Sequence, residues 1–223
     1  MKPCKSNLED LRLALVIALL SLLLNLQTST CWALKTPTIS ATSTTTPPLL
    51  DVPTYSMATC NAKGKTNMNI LTYATPVCIR PDRVWSLGLY KETLSCENFL
   101  QKKSCILQLL TEQHIPLVKV LGGSSGKDRD KQEECQRLGF TWGHLPGVVE
   151  GEESSTSAPM VLPGCAYYLK LTAIGDPVDC GCHCSVLCKV DAMFVSDPTK
   201  TSYVSTARLR DLGVITEQGR VAE

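Results

Sequence analysis

Twelve of the 223 residues are cysteine, and thiols are the side chains of this chain best able to do chemistry. Cys4 and Cys31 fall within the first 33 residues. The other ten are Cys60, Cys78, Cys96, Cys105, Cys135, Cys165, Cys180, Cys182, Cys184 and Cys188. An even number of thiols behind a secretory leader reads as five disulfides formed in an oxidising compartment. The connectivity stays open, because ten cysteines pair in hundreds of ways. On a strand, Cys180, Cys182 and Cys184 share one face, about 6.6–6.8 Å apart per step. Neighbouring bridges could then run from one strand to two others. Folding the 165–188 segment about residue 176 also brings Cys165 near Cys188. The run from Cys180 to Cys188, with His183, has donors for Zn²⁺ or Cu⁺. Behind a leader, disulfides are the better reading, so no metal and no cofactor are expected.

Other chemistry finds little support. The histidines are His114, His144 and His183. No G-x-S-x-G, H-E-x-x-H or Cys–His signature accompanies them. The stretch 122–127 superficially approaches a phosphate-binding loop. It fails because three residues separate Gly122 from Gly126, and Asp128 follows Lys127. No catalytic residue is expected, and the protein is not expected to be an enzyme.

The segments that must position these thiols follow from composition. Residues 1–33 have a polar start, an apolar run from Leu11 to Leu26 and small residues before a cleavage point after Ala33, the layout of a signal peptide. Residues 34–59 are Thr/Ser/Pro-rich and read as disordered. A disulfide-rich domain spans 60–188, and 189–223 read as a flexible tail. Within the domain, 69–74, 83–90, 115–121 and 167–174 are strand candidates, and 97–113 is a possible amphipathic helix. Residues 175–177 signal a turn, with a return strand from Val178. The polar stretches 122–134 and 150–157 read as loops. The 22 basic and 21 acidic residues nearly balance. That leaves no electrostatic reason to expect nucleic acid or an anionic membrane as partner. The expected fold is all-β or mostly β: a small disulfide-rich sheet with long flexible insertions.

The order Cys165, an alternating strand at 168–174, then Cys180-Gly181-Cys182 resembles the interleukin-17 family of cystine-knot cytokines. Trp85, the 89–92 segment, Cys96 and Cys105 extend that similarity upstream. Leu162-Pro163-Gly164-Cys165 with Cys182-His183-Cys184 is similar, secondarily, to glycoprotein-hormone subunits. The first resemblance implies bridges from Cys96 and Cys105 to Cys180 and Cys182, and one from Cys60 or Cys78 to Cys165. It implies a secreted, extracellular signalling ligand whose partners are a cell-surface receptor and a second copy of the chain, with no membrane contact after leader cleavage. Trp85, Leu87 and Leu89 on the 83–90 strand are the expected receptor contacts. The alternatives are a secreted antagonist or matrix-binding protein using the same crosslinks, and an extracellular hydrolase.

Overall fold

The computed structural model describes residues 15–18, 41–43, 48–145, 158–199 and 202–222. It divides into two units, 1–47 and 48–223. In the first, 15–18 are helical and 41–43 have no regular secondary structure. The cleavage point expected after Ala33 lies outside the described residues. Among the described residues no helix is long and apolar enough to cross a membrane.

The second unit is built on eight antiparallel strands. These are β1 (Tyr55–Cys60), β2 (Thr66–Leu71), β3 (Ala74–Cys78), β4 (Val84–Tyr90), β5 (Ser104–Leu109), β6 (Tyr167–Ala173), β7 (Val178–Cys180) and β8 (His183–Val195). The order across the sheet is β2-β1-β5-β6-β8-β4-β3, with β7 also pairing β8. The first and last strands of that order are consecutive in sequence, joined only by Thr72 and Tyr73. Leu71 at the end of β2 and Leu87 on β4 lie in one buried cluster, and the Gly88 N–H donates to the Tyr73 carbonyl at 2.8 Å. The sheet therefore curls into a barrel split between β2 and β3.

Both faces of the sheet bury side chains. The barrel interior holds Met57, Leu87, Leu89, Leu107 and Leu171. Helix α1 (Leu94–Lys102) contributes Cys96 and Phe99 to that interior. It starts cleanly because the Thr93 side chain accepts from the Cys96 N–H at 3.1 Å, satisfying one of the donors a helix N-terminus leaves open. Lys103 in the left-handed region (φ 58°) ends it. A second cluster on the outer face joins Ala58, Ile106 and Tyr168 to helices α2 (Ile115–Gly122), α3 (Lys131–Arg137) and α4 (Thr206–Asp211) through Leu117, Cys135 and Leu209.

The cystine-knot expectation is overturned. The ten cysteines from Cys60 to Cys188 are free thiols, and aliphatic burial on both faces of the sheet supplies the interior that crosslinks were expected to replace. Cys180, Cys182 and Cys184 do not share a strand face, because Gly181 (φ 83°) and Cys182 turn the chain between β7 and β8. Cys165 lies in the outer cluster and Cys188 in the barrel interior, so folding about residue 176 does not join them. The 115–121 segment, expected as a strand, is α2, with Pro116 in its first turn where a missing N–H costs nothing. Of the expected 97–113 helix, the first part belongs to α1 and 104–109 is β5. Residues 131–134, expected in a loop, begin α3, capped by Asp130. Residues 55–59, assigned to the disordered segment, belong to β1, in which all six residues are buried. Residues 189–195, assigned to the tail, complete β8, and further along Val204 and Leu209 are buried.

Candidate functional site

On the barrel wall, β4 and β8 pair with Tyr90 opposite His183, Gly88 opposite Ser185 and Ser86 opposite Leu187. Leu87 and Leu89 alternate into the interior, so Ser86, Gly88 and Tyr90 face outward. The Tyr73 side chain lies over Gly88. A Cβ built on Gly88 would sit 2.9 Å from the Tyr73 Cβ, so glycine is what allows this approach. His183 joins the two tyrosines: its ring centroid is 5.4 Å from that of Tyr73 and 5.3 Å from that of Tyr90. Tyr73 is 64% exposed and Tyr90 41%. The result is an exposed aromatic ledge on a rigid sheet. The Tyr90 hydroxyl donates to Glu92 at 2.6 Å, which fixes that ring and pushes its acidity down.

Next to the ledge is a cleft of about 320 Å³ lined by Lys91, Cys96, Leu100, Asp179 and Cys184 among others. The Lys91 ammonium donates to Asp179 at 2.7 Å. The Asp179 carboxylate also accepts from the Gly181 N–H at 2.8 Å. Lys91, then Gly181, hold the Asp179 carboxyl below its ordinary range, and Asp179 in turn holds Lys91 above its own. Beneath the pair, Cys96 and Cys184 line the same cleft and belong to the same buried cluster.

A smaller apolar cleft, about 210 Å³, opens at the barrel mouth between Tyr55, Trp85, Leu109, Tyr167 and Met193. Tyr55 and Trp85 meet edge to face at 6.0 Å. Burial pushes the Tyr55 phenol up to about 12, so it stays neutral.

The residues singled out from sequence scatter over these features. Trp85 is half-buried at the mouth, and Leu87 and Leu89 are buried inside, out of reach of any receptor. Cys105 and Cys188 are neighbours in the interior, as are Cys96 and Cys184. Cys180 and Cys182 are exposed on the β7–β8 turn. Cys60 packs beside Thr66 at 3.6 Å. The Cys78 thiol donates to the Arg80 carbonyl at 3.0 Å. Cys135 lies in the outer cluster, pushed up to about 11 by burial. Cys165 is 3.8 Å from His114 Nε2, a geometry that invites comparison with a Cys–His dyad. It is not one. Nδ1 accepts the Thr111 N–H at 3.1 Å, so the ring proton is on Nε2 and donates to the Pro163 carbonyl at 2.9 Å. Burial lowers the His114 pKa and raises that of Cys165, leaving both neutral.

The sequence places Gly88 and Tyr90 on the 83–90 strand and His183 among possible metal donors, but it does not join them with Tyr73 into one site. The available signal was a glycine inside an alternating strand, which marks close approach of another group.

A family model for the flavin reductase like domain matches residues 52–212. The chain belongs to this family. The match covers every strand and α1 to α4, so it is the whole β-barrel unit that carries it. Flavin reductase-like chains of known structure repeat the curled barrel at low identity. Flavoredoxin from Methanosarcina acetivorans is 14% identical, covering 82% of this chain and 81% of its own, with a TM-score of 0.57. Flavoredoxin of Desulfovibrio vulgaris is 15% identical, covering 82% of each, with a TM-score of 0.55. Nitrilotriacetate monooxygenase component B from Mycobacterium thermoresistibile is 14% identical, covering 70% of this chain and 80% of its own, with a TM-score of 0.55. At these identities the likeness is one of fold. No curated protein matches. Membership in the flavin reductase-like family overturns the expectation of a non-enzymatic cytokine-like ligand, its receptor partner, and the antagonist alternative.

Proposed function

We propose that the chain binds a flavin and acts as an oxidoreductase that takes hydride from a reduced nicotinamide. The observation that carries this reading is the aromatic ledge of Tyr73, His183 and Tyr90 lying one residue from Lys91. A flavin has a flat tricyclic ring and, in its phosphorylated forms, a dianionic tail. Exposed aromatic faces suit the ring by offset stacking. The residues present fit such a group: the rings are tilted by 54° and 46° at His183, so one exposed tyrosine face offers the stacking surface while the others edge it, and the Lys91 ammonium offers the cation for a phosphate. Two carboxylates fit less well: Asp179 shares that cation, and Glu97 lines the same cleft, so both oppose an incoming anion.

When bound, the flavin supplies the two-electron chemistry. This chain's own part is positioning. Gly88 lets Tyr73 approach β4 closely, and the Tyr90–Glu92 hydrogen bond holds the second ring. His183 Nδ1 lies 3.1 Å from the Cys182 sulfur, which restrains the imidazole between the tyrosines. Because the ledge is exposed on its outward side, a nicotinamide can approach from solvent. In place of a receptor, the partner class this reading favours is an oxygenase that consumes reduced flavin. The likeness to a protein described as a monooxygenase component supports it.

The test is steady-state oxidation of NADH and NADPH by the purified full chain, with and without added FMN, FAD or riboflavin. The expected result is nucleotide oxidation that depends on flavin and falls in Tyr73→Ala and His183→Ala. Oxidation that no flavin stimulates above the protein-free rate contradicts the proposal.

A further inference from the structure

Four thiols lie in the interior cluster of the barrel, and two of them line a cleft. Cys96 sits in the first turn of α1 and Cys184 is the second residue of β8. The pair is brought together by strand register, because Cys184 is opposite Leu89 and Leu89 leads through Tyr90 to Thr93, the cap of α1. Both line the cleft beside Lys91. Cys105 and Cys188 lie deeper, in the same cluster, and line neither described cleft.

We propose that Cys96 and Cys184 form a reversible dithiol–disulfide couple that responds to low-molecular-weight disulfides and sets the wall of the Lys91 cleft. The thiols are free here; the proposal concerns what they do under oxidation, between two residues that the fold places in one buried cluster at the wall of one cleft. The reaction is exchange with an organic disulfide, RSSR. Cys184, buried but less so than Cys96 (4% against 1% exposed), loses its proton and attacks one sulfur of RSSR. This breaks the S–S bond, forms Cys184–S–S–R and releases RS⁻, which takes up a proton. Cys96 then loses its proton and attacks the Cys184 sulfur. The second RS⁻ leaves and is protonated, and the Cys96–Cys184 bond remains. Two thiols are oxidised and one disulfide is reduced to two RSH. An excess of dithiol reverses both steps.

The surroundings set the pace. Burial, then the neighbouring Cys184 thiol, push Cys96 up to about 12, while the Lys91 ammonium works against that rise. Few Cys96 thiolates form at neutral pH, so the step that closes the bond is slow. The bond, once made, pins the first turn of α1 to β8. It closes a long loop and so raises thermal stability.

The test uses the full chain equilibrated in glutathione buffers of graded oxidation, quenched with acid, alkylated in denaturant and digested without reduction. The expected product is a peptide linking Cys96 to Cys184. It should be reversed by dithiothreitol and accompanied by a rise in Tm of several degrees that Cys184→Ala lacks. If that variant does not fold, the wild-type peptide map decides alone. Glutathione on exposed Cys180 and Cys182 while Cys96 and Cys184 stay alkylatable overturns the proposal, as does linkage of Cys96 to Cys180 or Cys182. No flavin enters the assay, so its outcome is separate from that of the flavin-binding reading.

Discussion

Replacing Gly88 by alanine isolates the contact on which the ledge depends. The new Cβ meets the Tyr73 Cβ at 2.9 Å, against an optimal carbon–carbon separation of about 3.5–4.0 Å. Tyr73 must therefore move away from β4 by about 0.6–1.1 Å. The obstructing atom is the root of the side chain, so rotating the ring does not relieve the clash and the backbone at Tyr73 must shift. That backbone is tied to residue 88 itself through the 2.8 Å Gly88 N–H to Tyr73 carbonyl bond. Overpacking of this kind costs about 1–3 kcal/mol of stability, which a two-sided core should survive. An aromatic stacking contact contributes about 0.5–1.5 kcal/mol, and about 1.4 kcal/mol is tenfold in affinity. Tilting Tyr73 off the ledge should therefore weaken FMN binding by about 2- to 12-fold. The assay is quenching of flavin fluorescence by wild type and Gly88→Ala, with circular dichroism and Tm confirming that the variant folds. A folded variant with unchanged FMN affinity refutes the assignment of the ledge.

Lys91→Ala should weaken FMN binding by about threefold to tenfold, the discounted worth of a solvent-exposed charged contact. Riboflavin, which lacks the phosphate, should bind both proteins alike in the same titration. Asp179→Asn removes the competing carboxylate and should tighten FMN without affecting riboflavin. Phe99→Ala empties the α1 end of the barrel, where Phe99 is fully buried. It should cost about 3–5 kcal/mol, seen in a thermal melt as a Tm lower by about 6–20 °C for a unit of this size. Lys131 is buried with its ammonium donating only to the Met68 and Leu121 carbonyls. Burial lowers its pKa from 10.5 to about 8. The unfolded chain then binds more protons than the folded one between those two values. Stability should rise through that window by up to about 3 kcal/mol and be lost as pH falls towards 8. Denaturant titrations across this range should show the rise in wild type and not in Lys131→Met.

The strands that bury one face were legible in the sequence. β4 and β6 alternate inward and outward residues, and the turn at 175–177 stands between β6 and β7 as its Gly-Asp-Pro composition predicts. β1 was not legible, because all six of its residues are buried and Tyr-Ser-Met-Ala-Thr-Cys shows no period of two. α2 was read as a strand because a short apolar run fits either element; Pro116 in the first turn was the clue that favours a helix. The thiols differ most from what their number suggests. Their number and a leader-like N-terminus argue for crosslinks, but whether cysteines bond depends on which sheet face each occupies. That follows from register, and the turn at Gly181–Cys182 could not be placed by spacing alone. Of the residues singled out, Cys96 and Cys184 line one cleft and Trp85 lines another. The ledge draws its members from the β2–β3 link, β4 and β8. Only the curl of the sheet brings these segments together, so their sequence separation hides them.

The most direct measurement of the central claim is a flavin titration of the purified full chain, following FMN fluorescence to saturation. The account predicts saturable binding of one flavin per chain, weakened when Tyr73 or His183 is replaced by alanine. Absence of saturable binding of FMN, FAD and riboflavin to folded protein contradicts it.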